Sequence, residues 1–587
     1  MKVNVVKNKS DGRGQIQQDY VKKKELILLG MGMLAVFLVA VWYVGENYSL
    51  KIWGDEFGYW QSAAYLTGKD WSSVAASNSY YGFGYGILLT PFMWLLGHDS
   101  MLMMQAALVF EAAMLTSCVA AAYLCIGYFS DQIKGVTRVL LAVLPILYPS
   151  NVLYVNLTTA EILLTTLTWW YTYVVLRFIK EKKLGLAIII MAMSVYMYSV
   201  HQRTIAVMAI SLVLIGWVYR KQIFNPKLLI VIGVLGCGML CVMLFKKEYV
   251  SVMYAGADAA LYANNNLSGQ TSKVVNILTS LSGFGNFLAS LIGKFYYISV
   301  ASVMLAVLGF FNCIQSFFQS IKVKEDLDKA VGMVVIVLNF FASYLIAAVY
   351  MSVGYSDRTD ILIYGRYIEH TIGPLIVLGI LYLYECNNLK TIFAAMGITS
   401  LSAVCVDKII GYKASNSNMW ANCSAIADLF EDGYYLNGED LYLVLLRSCI
   451  ILFVLYLIFI IKNNLRDKAL SIVVLSICIL WTSIGFKVRN EKIVSWADAV
   501  YKDQAEVLSY IDEPEFGIYN SYMGGFFQFL RVDSKVQYYA SMEDIENSSK
   551  SMYIITYKKA EDIEEIREEQ DIFFENGRYV VWKSNVR

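Results

Sequence analysis

Asp55 and Glu56 stand side by side in Trp53-Gly54-Asp55-Glu56-Phe57-Gly58-Tyr59-Trp60, an acidic pair set among aromatic rings. The pair follows the first long apolar run of the chain, so it emerges at a membrane surface. A carboxylate at the boundary of lipid and water can take a proton from a polar acceptor while aromatic rings hold a sugar or a lipid head group. The plainer reading is a solvated loop within a belt of interfacial Trp and Tyr. In a loop or strand, adjacent side chains point to different sides, so one acid of the pair faces a cavity. Asp55 is the expected base and Glu56 its support. Glu161, in Tyr154-Val155-Asn156-Leu157-Thr158-Thr159-Ala160-Glu161, heads another apolar helix. It either favours that helix N-terminus electrostatically or faces Asp55 and binds sugar hydroxyls.

Cations that could meet a phosphate lie later in the chain. Asp357-Arg358-Thr359-Asp360 and Tyr364-Gly365-Arg366-Tyr367-Ile368-Glu369-His370 form the densest polar cluster. Arginine binds phosphate through two parallel N–H donors, although the acids at 357, 360 and 369 also fit a salt-bridged loop. His201 and Arg203 stand at another helix end. Lys294 lies within a long apolar stretch, where it either snorkels to the outer surface or meets a phosphate. The three histidines (His98, His201, His370) are far apart and the ten cysteines show no CxxC, so neither a metal motif nor a disulfide framework is visible. No metal or other cofactor is expected.

The elements that must position these residues are apolar helices. Of 587 residues, 58% are hydrophobic and 16% charged, the balance of a polytopic membrane protein. A net charge of +1 identifies no partner, and nothing suggests nucleic acid. Residues 1–24 are polar and basic and end in Lys22-Lys23-Lys24, which places the N-terminus in the cytoplasm and Asp55 outside. The run from Glu25 to Val44 reads as an uncleaved first span. Residues 85–97 are short for a span and read as a surface or re-entrant helix. Continuing the alternation gives about thirteen spans over residues 25–488, among them 101–129, 139–154, 161–176, 287–318 and 372–384, with nearly every short basic loop inside. Asp55, Glu161, Arg203, Arg358, Arg366 and His370 then all fall at the outer face, which no rule of helix packing requires.

Residues 489–587 are richer in charge and read as a small extracytoplasmic α/β domain. Strands are expected at 516–519, 535–539, 552–557 and 579–582, with helices at 496–511 and 560–569. There is no internal repeat.

The order of these features resembles the GT-C integral-membrane glycosyltransferases, in particular protein O-mannosyltransferases and the bacterial aminoarabinose and lipopolysaccharide-core transferases. The resemblance is carried by the basic N-terminus, one span, and Gly54-Asp55-Glu56-Phe57-Gly58-Tyr59-Trp60. It continues through Tyr81-Gly82-Phe83-Gly84-Tyr85-Gly86-Ile87-Leu88-Leu89-Thr90-Pro91-Phe92 and Thr159-Ala160-Glu161, and is looser at Gly365-Arg366-Tyr367. It implies an all-α membrane domain with an outer α/β cap and a sugar donor linked to polyprenyl phosphate. The acceptor would be an extracytoplasmic glycan, lipid or protein, and transfer would invert the sugar carbon. It also implies Asp55 as base, Glu161 as its assistant, and a cation on the leaving phosphate, Arg366 first and Arg203 second. Some relatives need a divalent metal, usually with diphosphate donors.

Two other classes compete. A transporter or flippase would use the same charges as a solute pathway, but such proteins favour repeats and charges near the bilayer midplane. A membrane-anchored binding or assembly protein would work through residues 489–587 and not through Asp55.

Overall fold

The computed structural model describes residues 12–76, 80–220, 226–255, 267–323, 327–352, 358–385, 388–410, 419–429, 438–460, 463–521, 523–548 and 550–584. Residues 1–11 of the basic N-terminus, the run Asn264-Asn265-Asn266 and Asp357 lie outside them.

Apolar helices make up the first 488 residues. Eight helices among the described residues are long and apolar enough to cross a membrane, or nine if the bent pair Thr271–Thr279 and Leu281–Ala301 is one span. The expected thirteen include shorter elements, such as Leu184–Val200, Ile205–Val218 and Ile372–Glu385. The chain is a multi-pass membrane protein.

Two expected spans are broken. Residues 139–154 form two short helices, Gly135–Val143 and Pro149–Tyr154. Pro145 and Pro149 each lack the N–H that would continue the ladder. Residues 287–318 divide into Leu281–Ala301 and Leu305–Val323. Between them, Val303 and Met304 adopt left-handed backbone conformations (φ 54° and 60°) that end an α-helix. As expected, residues 84–96 form a short apolar helix.

The acidic motif is helical rather than a loop. Trp53–Leu66 is an α-helix with Asp55 and Glu56 in its first turn. Its N-cap, Ile52, offers no side-chain acceptor. The Glu56 carboxylate takes that role, accepting the N–H groups of Lys51 (2.5 Å) and Ile52 (2.7 Å). The helix ends at Thr67, before Gly68 with φ 74°.

The C-terminal part is the expected α/β domain, with one strand more. Its strands are β1 (Glu515–Tyr519), β2 (Lys535–Tyr539), β3 (Tyr553–Tyr557), β4 (Ile572–Glu575) and β5 (Tyr579–Lys583), in the order β2-β1-β3-β5-β4. β1 pairs parallel with β2 and β3, whereas β5 is antiparallel to β3 and β4. β4 escapes sequence reading because it is an edge strand of only four residues. The Asn576-Gly577 pair before β5 is a hairpin signal that would have found it.

The domain docks on the Asp55 helix. Gly525, in the helix Gly524–Leu530, lies against the Phe57 ring, and Phe529 meets Trp60 edge-on with centroids 5.5 Å apart. Trp71 stacks on Phe57 and donates its indole N–H to Val532 O at 3.0 Å. Phe57, Trp60 and Trp71 thus share one apolar core with Phe526, Phe527 and Phe529. Burying aromatic rings on one side of the helix fixes which way its other side, with Asp55, must face.

Candidate active site

Glu56 and Asp55 leave their shared helical turn in different directions. Glu56 is fully buried. Besides its own helix start it accepts the N–H (2.9 Å) and hydroxyl (3.0 Å) of Thr158, one residue before the N-cap of the helix Ala160–Glu181. Glu56 therefore joins two helix N-termini and points away from Asp55's partners. Glu56 is the expected support of Asp55; its contacts are instead to the groups at these two helix starts.

Asp55 faces a polar centre assembled from four distant segments. Arg366 Nη1 donates to Asp55 Oδ2, and Tyr81 donates its hydroxyl to Asp55 Oδ1 at 2.5 Å. The same guanidinium donates through Nε to Glu161 Oε1 (2.9 Å) and through Nη2 to Glu161 Oε2 (3.3 Å). Arg366 thus bridges two carboxylates with three N–H donors, a use of the planar fork that lysine cannot copy. Burial opposes its charge, but Glu161 and then Asp55 outweigh that and raise it above the ordinary arginine value. Arg203 Nη2 lies 3.5 Å from Glu161 Oε1, and its guanidinium stacks over the Tyr367 ring at 4.5 Å. Of the two carboxylates, Asp55 is the reachable one, with 22% of its side chain exposed against 6% for Glu161.

Two glycines permit this convergence. A Cβ on Gly365 would overlap the Tyr297 ring, so Arg366 reaches the centre only because residue 365 has none. Gly82 (φ 154°) lies on the carbonyls of Ser199 and Val200, with no room for a side chain. That contact brings Tyr81 beside His201, with ring centroids 6.1 Å apart. The N–H groups of Gly365 and Arg366 both donate to Asn422 O (2.9 and 3.2 Å), anchoring the segment.

The remaining expected residues divide. Tyr367 belongs to the centre through Arg203 and meets the His201 ring edge to face, with centroids 5.6 Å apart. His370 is buried beside the centre, and neither ring nitrogen has a partner among the described residues. Burial first, then Arg203, push it down to about 3, so it is a neutral imidazole and not a cation for phosphate. Arg358 pairs with Asp360 (2.6 Å), which also accepts from Asn422. This is the salt-bridged-loop alternative. Lys294 neither snorkels nor stands free: its amine is buried and donates to Ser290 Oγ (2.8 Å) and Ile361 O (3.2 Å).

Two buried acids carry more than the sequence suggested. Glu369 accepts the hydroxyls of Ser150 (2.5 Å), Tyr154 (3.2 Å), Tyr148 (3.5 Å) and Tyr297. Burial raises it to about 7. Tyr154 also lies 5.9 Å from the Arg366 guanidinium, so Glu369 orients a wall of the centre. Glu111, inside the helix Ser100–Phe129, accepts the Tyr85 hydroxyl. Neither role has a local signal, because the Glu369 partners lie 72 to 221 residues away.

Arg203 has a further property. Its Nε and Nη1 are buried and have no hydrogen-bond partner among the described residues. Unpaired donors on a buried guanidinium are costly, so they mark a place where an anion binds favourably. No group of three or more His, Cys, Asp or Glu side chains suited to a metal ion gathers among the described residues.

A multi-helix membrane domain, a polar centre at helix ends behind the first span, and a C-terminal α/β domain docked on the acidic helix form a fold similar to that of solved ArnT structures. ArnT from Cupriavidus metallidurans, in a crystal structure bound to undecaprenyl phosphate, is similar over 94% of this chain and 97% of its own, with TM-score 0.53 and 11% identity. Its apo crystal structure covers the same shares at TM-score 0.51 and 11% identity. The oligosaccharyltransferase AglB from Archaeoglobus fulgidus, in complex with an inhibitory peptide and a dolichol-phosphate, covers 91% of this chain and 69% of its own at TM-score 0.42 and 10% identity. No family model and no curated protein matches the sequence.

Proposed function

We propose that the protein transfers a sugar from a polyprenyl-phosphate-linked donor to an acceptor at the outer face of a bacterial plasma membrane. The observation that carries this reading is the ion-paired centre. Arg366 holds Asp55 and Glu161 together, Asp55 is the more exposed of these two carboxylates, and Arg203 has two buried donors without a partner among the described residues. Likeness in fold to ArnT, whose structure holds undecaprenyl phosphate, supports a lipid-phosphate donor. The N-terminus is cytoplasmic, the chain makes about thirteen crossings with the shorter helices included, and residues 489–587 lie outside.

In the proposed reaction, Asp55 accepts the proton of the acceptor hydroxyl as its oxygen attacks the sugar carbon. The bond from that carbon to the phosphate oxygen breaks on the opposite side, so the configuration inverts. The lipid phosphate leaves with the bonding electrons, and Arg203 donates to it from a fixed position. Arg366, with all three of its described bonds on carboxylates, organises the acids instead. Glu161 balances both arginines and is placed to meet sugar hydroxyls. Charge neutralisation comes from arginine, without a metal.

The test compares glycan composition, by mass spectrometry, in wild-type cells, a deletion strain and an Asp55→Asn strain with matched protein levels. Loss of one sugar substituent in both altered strains is expected. Its persistence in Asp55→Asn alone removes the catalytic assignment.

A further inference from the structure

A cavity of about 760 Å³ lies between the segment Asp70–Ala76 that follows the Asp55 helix, the C-terminal domain and the end of the helix Pro226–Met253. Asp70 supplies one wall, Val252 the second, and Lys535, Gln537, Tyr538 and Asp544 the third. Its size fits a small ligand, and junctions between domains are where such sites collect. It is a built junction. Tyr538 N–H donates to Ser73 Oγ at 2.8 Å, Trp71 donates to Val532 O, and Lys69 pairs with Asp533. Val252 lies near the end of the helix Pro226–Met253, whose most apolar stretch is almost wholly exposed, so the cavity opens beside the end of a lipid-facing helix.

The wall chemistry selects a polyhydroxylated ligand. The Gln537 amide and the Tyr538 hydroxyl, both half-buried, have no hydrogen-bond partner among the described residues. An amide offers donors and an acceptor together, a carboxylate accepts from neighbouring hydroxyls, and an aromatic ring covers an apolar face. A pyranose presents all three complements at once. A peptide fits less well. β2 is the sheet edge, with Lys535 N–H and Tyr539 O turned to β1, so Val536 and Tyr538 face the free side. The Tyr538 N–H that an added strand would need is already taken by Ser73.

We infer that this cavity binds the sugar residues of a carbohydrate acceptor, apart from the Asp55 centre. The word acceptor rests on the transferase reading; the binding itself does not. Two sources share this chemistry, a free oligosaccharide and a glycolipid head group.

The experiment measures binding to the full-length protein in nanodiscs. The probes are free tetrasaccharides of glucose, galactose, mannose and N-acetylglucosamine, vesicles bearing diglucosyl-diacylglycerol, and an unstructured Ser/Thr peptide. Binding of a sugar probe that weakens at least tenfold in Gln537→Ala or Tyr538→Ala, with unchanged melting, supports the inference. Vesicle binding alone assigns the glycolipid source, and tetrasaccharide binding the free one. Sugar binding that both variants retain, binding of the peptide only, or no binding of any probe overturns it. Asp55→Asn is expected to bind like wild type. Loss of transfer without change at this cavity, or the reverse, therefore separates the two proposals.

Discussion

The Glu56 carboxylate accepts both the backbone N–H and the hydroxyl of Thr158, at 2.9 and 3.0 Å. Through this contact the helix that carries Asp55 is fixed to the helix that carries Glu161, and Arg366 finds both acids within reach.

Removing that clamp should cost stability before it alters chemistry. Glu56→Ala leaves the N–H groups of Lys51, Ile52 and Thr158 without their acceptor. Each buried unsatisfied group costs about 1–3 kcal/mol. A lower melting temperature is expected in detergent or nanodiscs, with Asp55→Asn melting closer to wild type. Equal melting of Glu56→Ala and wild type would contradict the role.

The two arginines of the centre should separate by readout. Arg366→Gln leaves Asp55 and Glu161 without their shared cation, and breaking such a pair costs about 3–5 kcal/mol. Its melting temperature should fall. Arg203→Gln should melt near wild type and lose turnover, by about 10²–10³-fold, the effect of deleting one fixed donor to a developing negative charge. The same drop in melting for both variants would argue against distinct roles.

Glu369 gives a dependence on pH. Its carboxyl is raised by burial from 4.5 to about 7, so between those values the folded state holds a proton that the unfolded state has released. Stability from this group is therefore present below about 4.5, falls as pH rises to about 7, and is then constant. Thermal melting of wild type and Glu369→Gln from pH 5 to 8 checks this. The wild type should lose stability relative to the variant up to about pH 7, and parallel curves would refute the assignment.

Transfer should persist in EDTA, because arginine and not a metal neutralises the leaving phosphate in the proposed reaction. The check is turnover of a polyprenyl-phosphate sugar by purified protein before and after chelation, with added Mg²⁺ or Mn²⁺ as the control. Abolition by chelator and rescue by either ion would move charge neutralisation from Arg203 to a metal.

Apolar runs alone determined that the chain is a helical membrane protein, because long uncharged segments have few other stable arrangements. A rise in charge together with strand and helix patterning marked residues 489–587 as an α/β region. Asp55 and Glu161 were legible as candidates because an acid beside an apolar run is conspicuous, and Arg366 because it lies in the densest polar cluster of the chain. Only the tertiary structure decided which partners each side chain takes. The sequence predicts that one acid of the Asp55-Glu56 pair faces a cavity, and the helical turn sends Asp55 to Arg366 and Glu56 to Thr158. Arg366 is expected ahead of Arg203 as the phosphate cation, yet Arg366 is held by two carboxylates and Arg203 has two donors without a partner among the described residues. Lys294 and Glu369 took their partners from residues far along the chain, at Ile361 and Tyr148. Those pairings depend on how helices pack, and local spacing carries no record of them.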